Sequence, residues 1–217
     1  MPPGIKTKEF IMKYRLISLL SLLLIFIVSD AFAVNTTYDF KDPKGVNAIS
    51  IQLNSMLEPN VGFATGIKGA VTIDQENRKI ISGQLSVPAD GVTMSNKTMT
   101  KVLHSKDWLN VKKYPDITFK FIKIISIATL SAEVYEVTVM GDLTLKGITK
   151  QIKAPISIRF YPDKYKMRNS KGSGDLAAIK TSFQINRSDF KLKPEVPAEI
   201  VADVIELNMN VIGSFKK

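Results

Sequence analysis

From residue 47 to the C-terminus, apolar and polar side chains alternate with period two in one segment after another. Successive residues of a strand point to opposite faces, so this chain is written for half-buried β-strands, not for helices. In NAISIQLNS (47–55), Ile49, Ile51 and Leu53 share one face, and Ser50, Gln52 and Asn54 the other. IKGAVTID (67–74) groups Ile67, Val71 and Ile73, IISGQLSVPA (80–89) groups Ile81, Leu85 and Val87, and DITFKFIKI (116–124) groups Ile117, Phe119 and Phe121. YEVTVMGDLTLKG (135–147) sets Tyr135, Val137, Val139, Leu143 and Leu145 against Glu136, Thr138, Asp142 and Thr144. QIKAPISIRF (151–160), IKTSFQINR (179–187, Phe183 and Ile185 inward) and VIELNMNVIG (204–213) bring the total to eight segments rich in Ile, Val, Thr and Phe.

Runs of turn-forming residues separate these segments: DQENRK (74–79), LKGITK (145–150) and NSKGSG (169–174). Glu58-Pro59-Asn60 reads as a further turn, from which Phe63 re-enters the apolar face, and Gly141-Asp142 as a bulge or bend. There is no internal repeat and no shift of composition that would divide the strands between two domains. One stretch breaks the pattern. SNKTMTKVLHSKDWL (95–109) offers Ser95 as a helix cap, followed by Met99, Val102 and Leu103 at helical spacing. It predicts a short helical crossing over the end of a sheet, ended before Tyr114-Pro115. The fold class is all-β with short helices, and eight such antiparallel strands can close as a barrel or stack as a sandwich.

The first 33 residues stand outside this pattern. Lys6, Lys8, Lys13 and Arg15 precede an apolar run, LISLLSLLLIFIV (16–28), and Ala31-Phe32-Ala33 offers small residues where a signal peptidase needs them. The run is short for a permanent span, which takes ~20 apolar residues. The expectation is a cleaved signal peptide over 1–33, with Met1 or Met12 as the start, and one exported domain over 34–217 in the periplasm. Without the leader, 26 basic and 18 acidic residues leave a charge of +8. Spread along the chain, that charge reads either as an ordinary basic, soluble surface or as attraction to an anionic membrane surface; it forms no arm or basic–aromatic platform for nucleic acid.

The chain has no Cys, which excludes disulfides, thiolate metal sites and Cys nucleophiles. Its only His and only Trp lie four residues apart, with Ser105 and Asp107 between them. Ser–His–Asp catalysis by His104, Ser105 and Asp107 fails on geometry, because such close neighbours do not form an oriented relay, and no Gly-x-Ser-x-Gly elbow exists. No catalytic residue, metal ligand or cofactor is expected. His104 serves either a hydrogen bond within the helical crossing or, with Trp108, the polar end of a ligand at a barrel mouth. Arg187 either pairs with a carboxylate in a strand-end turn or meets the same headgroup.

Three segments, in order, resemble those of the YceI-like polyisoprenoid-binding family: LHSKDWLNVKKYPDITFKF (103–121), GDLTLKGITKQI (141–152) and SFQINRSDFKL (182–192). The resemblance implies a lipocalin-like antiparallel eight-stranded β-barrel with helices near one end. It also implies an isoprenoid or other long-chain lipid in the lumen, and it makes a homodimer a candidate. Two departures stand out: Lys191 occupies the position after the late Phe where the family usually has Gly, and the stretch 161–175 is long and basic. The expected lumen lining is Ile49, Ile51, Leu53, Phe63, Val71, Ile73, Leu85, Met99, Leu103, Trp108, Phe119, Phe121, Val137, Val139, Leu143, Leu145, Phe183 and Ile185, with His104 and Arg187 as headgroup contacts. The alternative is a non-catalytic envelope module, its barrel filled by side chains and its basic loops turned to a partner.

Overall fold

A computed structural model describes residues 35–217, apart from 58, 78, 132 and 133 and the side chains of 129 and 130. The expected leader and its cleavage point lie outside the described residues. Among the described residues eleven strands occur: β1 (Asn35–Asp39), β2 (Ala48–Asn54), β3 (Pro59–Thr65), β4 (Lys68–Asp74), β5 (Lys79–Pro88), β6 (Val92–Met94), β7 (Asp116–Leu130), β8 (Val134–Leu145), β9 (Ile148–Tyr161), β10 (Gly174–Asn186) and β11 (Val204–Lys216). Eight close into an antiparallel ring, β1-β4-β5-β7-β8-β9-β10-β11, completed where Asp39 meets Ser214. Closure makes this a barrel and excludes the sandwich. Beside β1, the free edge of β11 carries β2, β3 and β6 as an antiparallel flap, starting with residues 206–210 against 48–52.

The alternation translates directly into burial where a ladder is unbroken. In β8, Tyr135, Val137, Val139, Gly141, Leu143 and Leu145 are all buried, and the residues that alternate with them are partly or fully exposed. β1, NTTYD, escaped the sequence reading because it is short and polar, yet its Thr36 and Tyr38 are buried and it completes the ring. β2 was expected among the eight and lies in the flap instead.

Departures from the expected facing have local causes. Phe63 points outward and is 51% exposed, because Gly62 and Ala64 take the inner positions of β3. Only Gly fits at 62, where a Cβ would lie 2.4 Å from the Thr93 carbonyl oxygen. Ile81 is also outside, and Ile80 is inside: the β4–β5 register steps from Thr72↔Ser82 to Ile73↔Ile80, leaving Ile81 as an extra residue. The irregularity expected at Gly141-Asp142 belongs to β7, where Ile122 is the extra residue between Phe121↔Gly141 and Lys123↔Met140.

The crossing helix, α1 (Lys97–Leu103), is capped by Asn96 and not by Ser95: its Oδ1 accepts from the Thr98 and Met99 amides at 2.8 and 3.3 Å. Ser95 still belongs to the flap, its amide donating to the Val61 carbonyl at 2.9 Å.

Candidate ligand-binding cavity

The inner faces of the strands enclose a cavity of about 220 Å³. Its walls come from every part of the ring except β1, and from the flap. Of the residues expected to line it, Ile49, Ile51, Leu53, Val71, Leu85, Leu103, Trp108, Phe119, Phe121, Val139, Leu143, Leu145, Phe183 and Ile185 do so. No charged side chain is among the lining residues; Gln84, Thr118 and Thr181 are the polar ones, and the Thr181 hydroxyl is buried without a partner. Gly141 gives the cavity its shape. A Cβ there would sit 2.2 Å from the Phe119 ring, so the absent side chain lets the ring lie across the inner face of β8.

Four expected lining residues are elsewhere. Phe63 is outside, as described. Ile73 and Val137 are fully buried but pack in the plug beyond one end of the cavity. Met99 is half-buried on α1 and does not reach the cavity; Met94, on β6, takes that place. The sequence reading left Ala154 and Ile156 of β9 and Ile205, Leu207 and Met209 of β11 unassigned, although all of them line the cavity. The same period-two pattern, carried along those two strands, would have found them.

Both ends of the barrel are filled. At one, Tyr38, Phe40, Tyr135 and Ile158 are among the largest fully buried side chains, and the Tyr38 ring meets Phe160 and Phe215 at centroid distances of 6.2 and 6.5 Å. Burial, helped by the nearby Asp175 carboxylate, pushes the Tyr38 phenol up to about 12. The long 161–175 stretch is docked over this end, with the Arg168 guanidinium 3.3 Å from the Asp42 carboxylate.

At the opposite end Arg187 is 2% exposed, yet no ion pair to it occurs among the described residues. Its guanidinium instead donates to five backbone carbonyls, those of Leu192, Lys193, Val196, Val201 and Ala202. All five N–H donors of the fork are used. Arg187 is therefore neither paired with a carboxylate nor free to meet a headgroup; it staples residues 192–202 into a cap. Its Cζ also lies 5.9 Å from the centre of the Trp108 ring, whose other neighbours include the cavity. Leu109, Phe190 and Leu192 are buried beneath.

His104 closes α1 and donates from Nε2 to the Val92 carbonyl at 2.7 Å, fastening the helix to β6. Lys146 straps the cap further, reaching the Asp107 and Lys191 carbonyls at 2.7 and 2.6 Å. Lys191 itself has φ 51°. That left-handed conformation explains why Gly suits the position: without a Cβ it adopts positive φ at no steric cost.

Residues 36–212, which hold the closed ring, its apolar cavity and the short helix, match the YceI-like domain. The chain belongs to the YceI-like family. Protein YceI of Escherichia coli O157:H7 is 26% identical over 138 residues, 63% of this chain. That alignment spans 66% of the relative's own length, just under two thirds. Among solved structures, BcnA of Burkholderia cenocepacia superposes with a TM-score of 0.59 at 22% identity, covering 76% of this chain and 95% of that one. A polyisoprenoid binding domain from Saccharophagus degradans, implicated in plant cell wall breakdown, gives 0.59 at 11% identity over 84% and 99%. At these identities the superpositions establish a shared YceI-like barrel fold.

Proposed function

We propose that this YceI-like protein holds the hydrocarbon part of an isoprenoid or similar amphiphilic lipid in its barrel, without turnover, for sequestration or transport after export to the periplasm. The cavity carries this reading. It is lined without a single charge, so it favours hydrocarbon and has little with which to orient a polar substrate. Burying each carbon is worth ~0.8 kcal/mol, so a five-carbon isoprene unit contributes roughly 4 kcal/mol. Association costs roughly 4–15 kcal/mol, so each unit the lumen takes up offsets part of that cost, and the cavity of about 220 Å³ sets where the gain stops. The binding named for the Saccharophagus degradans domain points the same way, and the N-terminal segment supports export. The open cavity favours this reading over a barrel packed solid and serving as an envelope scaffold.

The test is an organic extract of the purified protein examined by mass spectrometry, with binding of added prenyl chains of increasing length. A co-purified prenyl lipid is expected, together with affinity that rises with chain length and then levels off. No lipid in the extract, and equal affinity for short and long chains, would end the proposal.

A further inference from the structure

β5 and β7 are neighbours in the ring, yet they pair only between residues 84–88 and 116–120. Beyond Gln84 and Lys120 each strand keeps its other partner: β5 follows β4 back to Lys79, and β7 follows β8. Among the described residues, the facing edges of 79–83 and 121–128 therefore lack a ladder between them, and the wall forks. The local sequence explains the fork. β7 carries extra residues at Ile122, Ile125 and position 128, each of which bends and twists the strand along β8. Gly83 places no side chain at the point where the strands part.

Gly83, Gln84 and Phe121 border the cavity on the inside, and the same three residues border a groove on the outer surface that also takes in Lys41, Lys68 and Lys120. Here a wall one residue thick separates the cavity from the groove. Along the two parted strands Ile81, Ile122, Ile125 and Ile127 are 46, 40, 41 and 57% exposed and form an aliphatic rim. Both barrel ends, by contrast, are filled by side chains, and the Arg187 end would have to give up five hydrogen bonds to open.

Resting on the lipid-holding reading above, we infer that the guest chain enters and leaves sideways through the β5–β7 fork, with the isoleucine rim seated on an anionic bilayer. The rim supplies apolar contact and Lys41, Lys68 and Lys120 supply the matching charge. A chain passing from leaflet to lumen along this path has the isoleucine rim and Phe121 beside it for part of the way, and the cost of exposing it to water is reduced. Entry along the barrel axis would cross the filled ends instead.

Trp108, the only Trp, lines the cavity and reports on its occupancy. The experiment follows transfer of a dansyl-labelled geranylgeranyl chain from phosphatidylglycerol vesicles to the protein, by energy transfer from Trp108. Equilibrium binding of the same chain delivered from detergent is measured alongside. An Ile122→Ser, Ile125→Ser double variant should slow transfer at least tenfold, with equilibrium binding within twofold of the parent. Lys41→Glu with Lys120→Glu should slow transfer from anionic vesicles and leave transfer from phosphatidylcholine unchanged. Leu57→Ser, at the 91% exposed tip of the β2–β3 turn near the other end, should change neither. Unchanged transfer in the rim variant overturns the inference, as does slowing by Leu57→Ser of the same size or larger. A stable dimer covering the rim, seen by sedimentation and lost in the rim variant, overturns it too. No energy transfer in the parent from detergent would instead refute the lipid-holding reading.

Discussion

The cavity wall and the Arg187 cap sit within one barrel and are held by opposite kinds of force. The wall around Phe119, Val139 and Leu143 is apolar contact, which has no direction and depends on area. The cap is a buried cation whose five donors each require a carbonyl in one place. A region of the first kind tolerates exchange of one hydrocarbon for another and can adapt to a guest. A region of the second kind is rigid, because losing one partner leaves others buried and unsatisfied. Adaptability thus lies where a ligand would sit, and rigidity where the barrel is shut.

The largest expected effect strikes the wall with the cap's chemistry. Phe119→Asp places an unpaired carboxylate among apolar neighbours and should abolish folding or prenyl binding, a cost of several kcal/mol. Lys120→Asp, one residue along and facing outward, should leave the folded state within about 0.5 kcal/mol of the parent. Urea unfolding of the two variants compares them directly, and equal tolerance would mean that the facing of β7 is wrong.

Arg187→Lys tests the cap. An ammonium has three donors where the guanidinium has five, and it cannot match the planar fork. A loss of about 3 kcal/mol is expected by the same measurement, with the far end of the barrel still native by amide exchange. A loss below about 1 kcal/mol would show that the cap is looser than its hydrogen bonds suggest.

Gly141→Ala comes next. The added methyl overlaps the Phe119 ring and must push it into the cavity, at about 1–3 kcal/mol. Prenyl affinity should fall with stability, and restored affinity in a Gly141→Ala, Phe119→Leu double variant would show that the ring is the cause.

In the plug, Tyr38 is neutral in the folded state up to about pH 12, whereas an unfolded tyrosine ionises near 10. Its contribution is complete below pH 10 and is lost as the pH rises towards 12. A Tyr38→Phe variant should lose less stability than the parent across that window. The smallest effect is expected at Lys191→Gly: relief of the positive φ is offset by the flexibility of Gly when unfolded, leaving a gain of no more than about 1 kcal/mol in Tm-derived stability.

Much of the fold was legible in the sequence. β8 shows why: with an unbroken ladder on both sides, each change of residue is a change of face, so Tyr135 to Leu145 can be read outright. β5 and β7 show where such reading stops. A bulge is a mismatch in count between two strands, and neither strand displays it alone; hence Ile80 and Ile81 exchange faces. Phe63 was read as re-entering the core after the turn at 58–60, when the close approach of the Thr93 carbonyl decided the facing of β3 through Gly62. The Arg187 staple was illegible for a related reason, since its five acceptors are backbone carbonyls, which every residue possesses.

What the amino-acid order determined by itself was the strand-forming alternation, the apolar character of one face, and the lack of any thiol, all properties of single residues and near neighbours. Only the tertiary structure decided that the faces close around a cavity, that the ends are filled, and that the wall forks between β5 and β7. Those depend on how strands far apart in the chain count off against one another, and hydrogen-bond register between distant segments is a property of the pair.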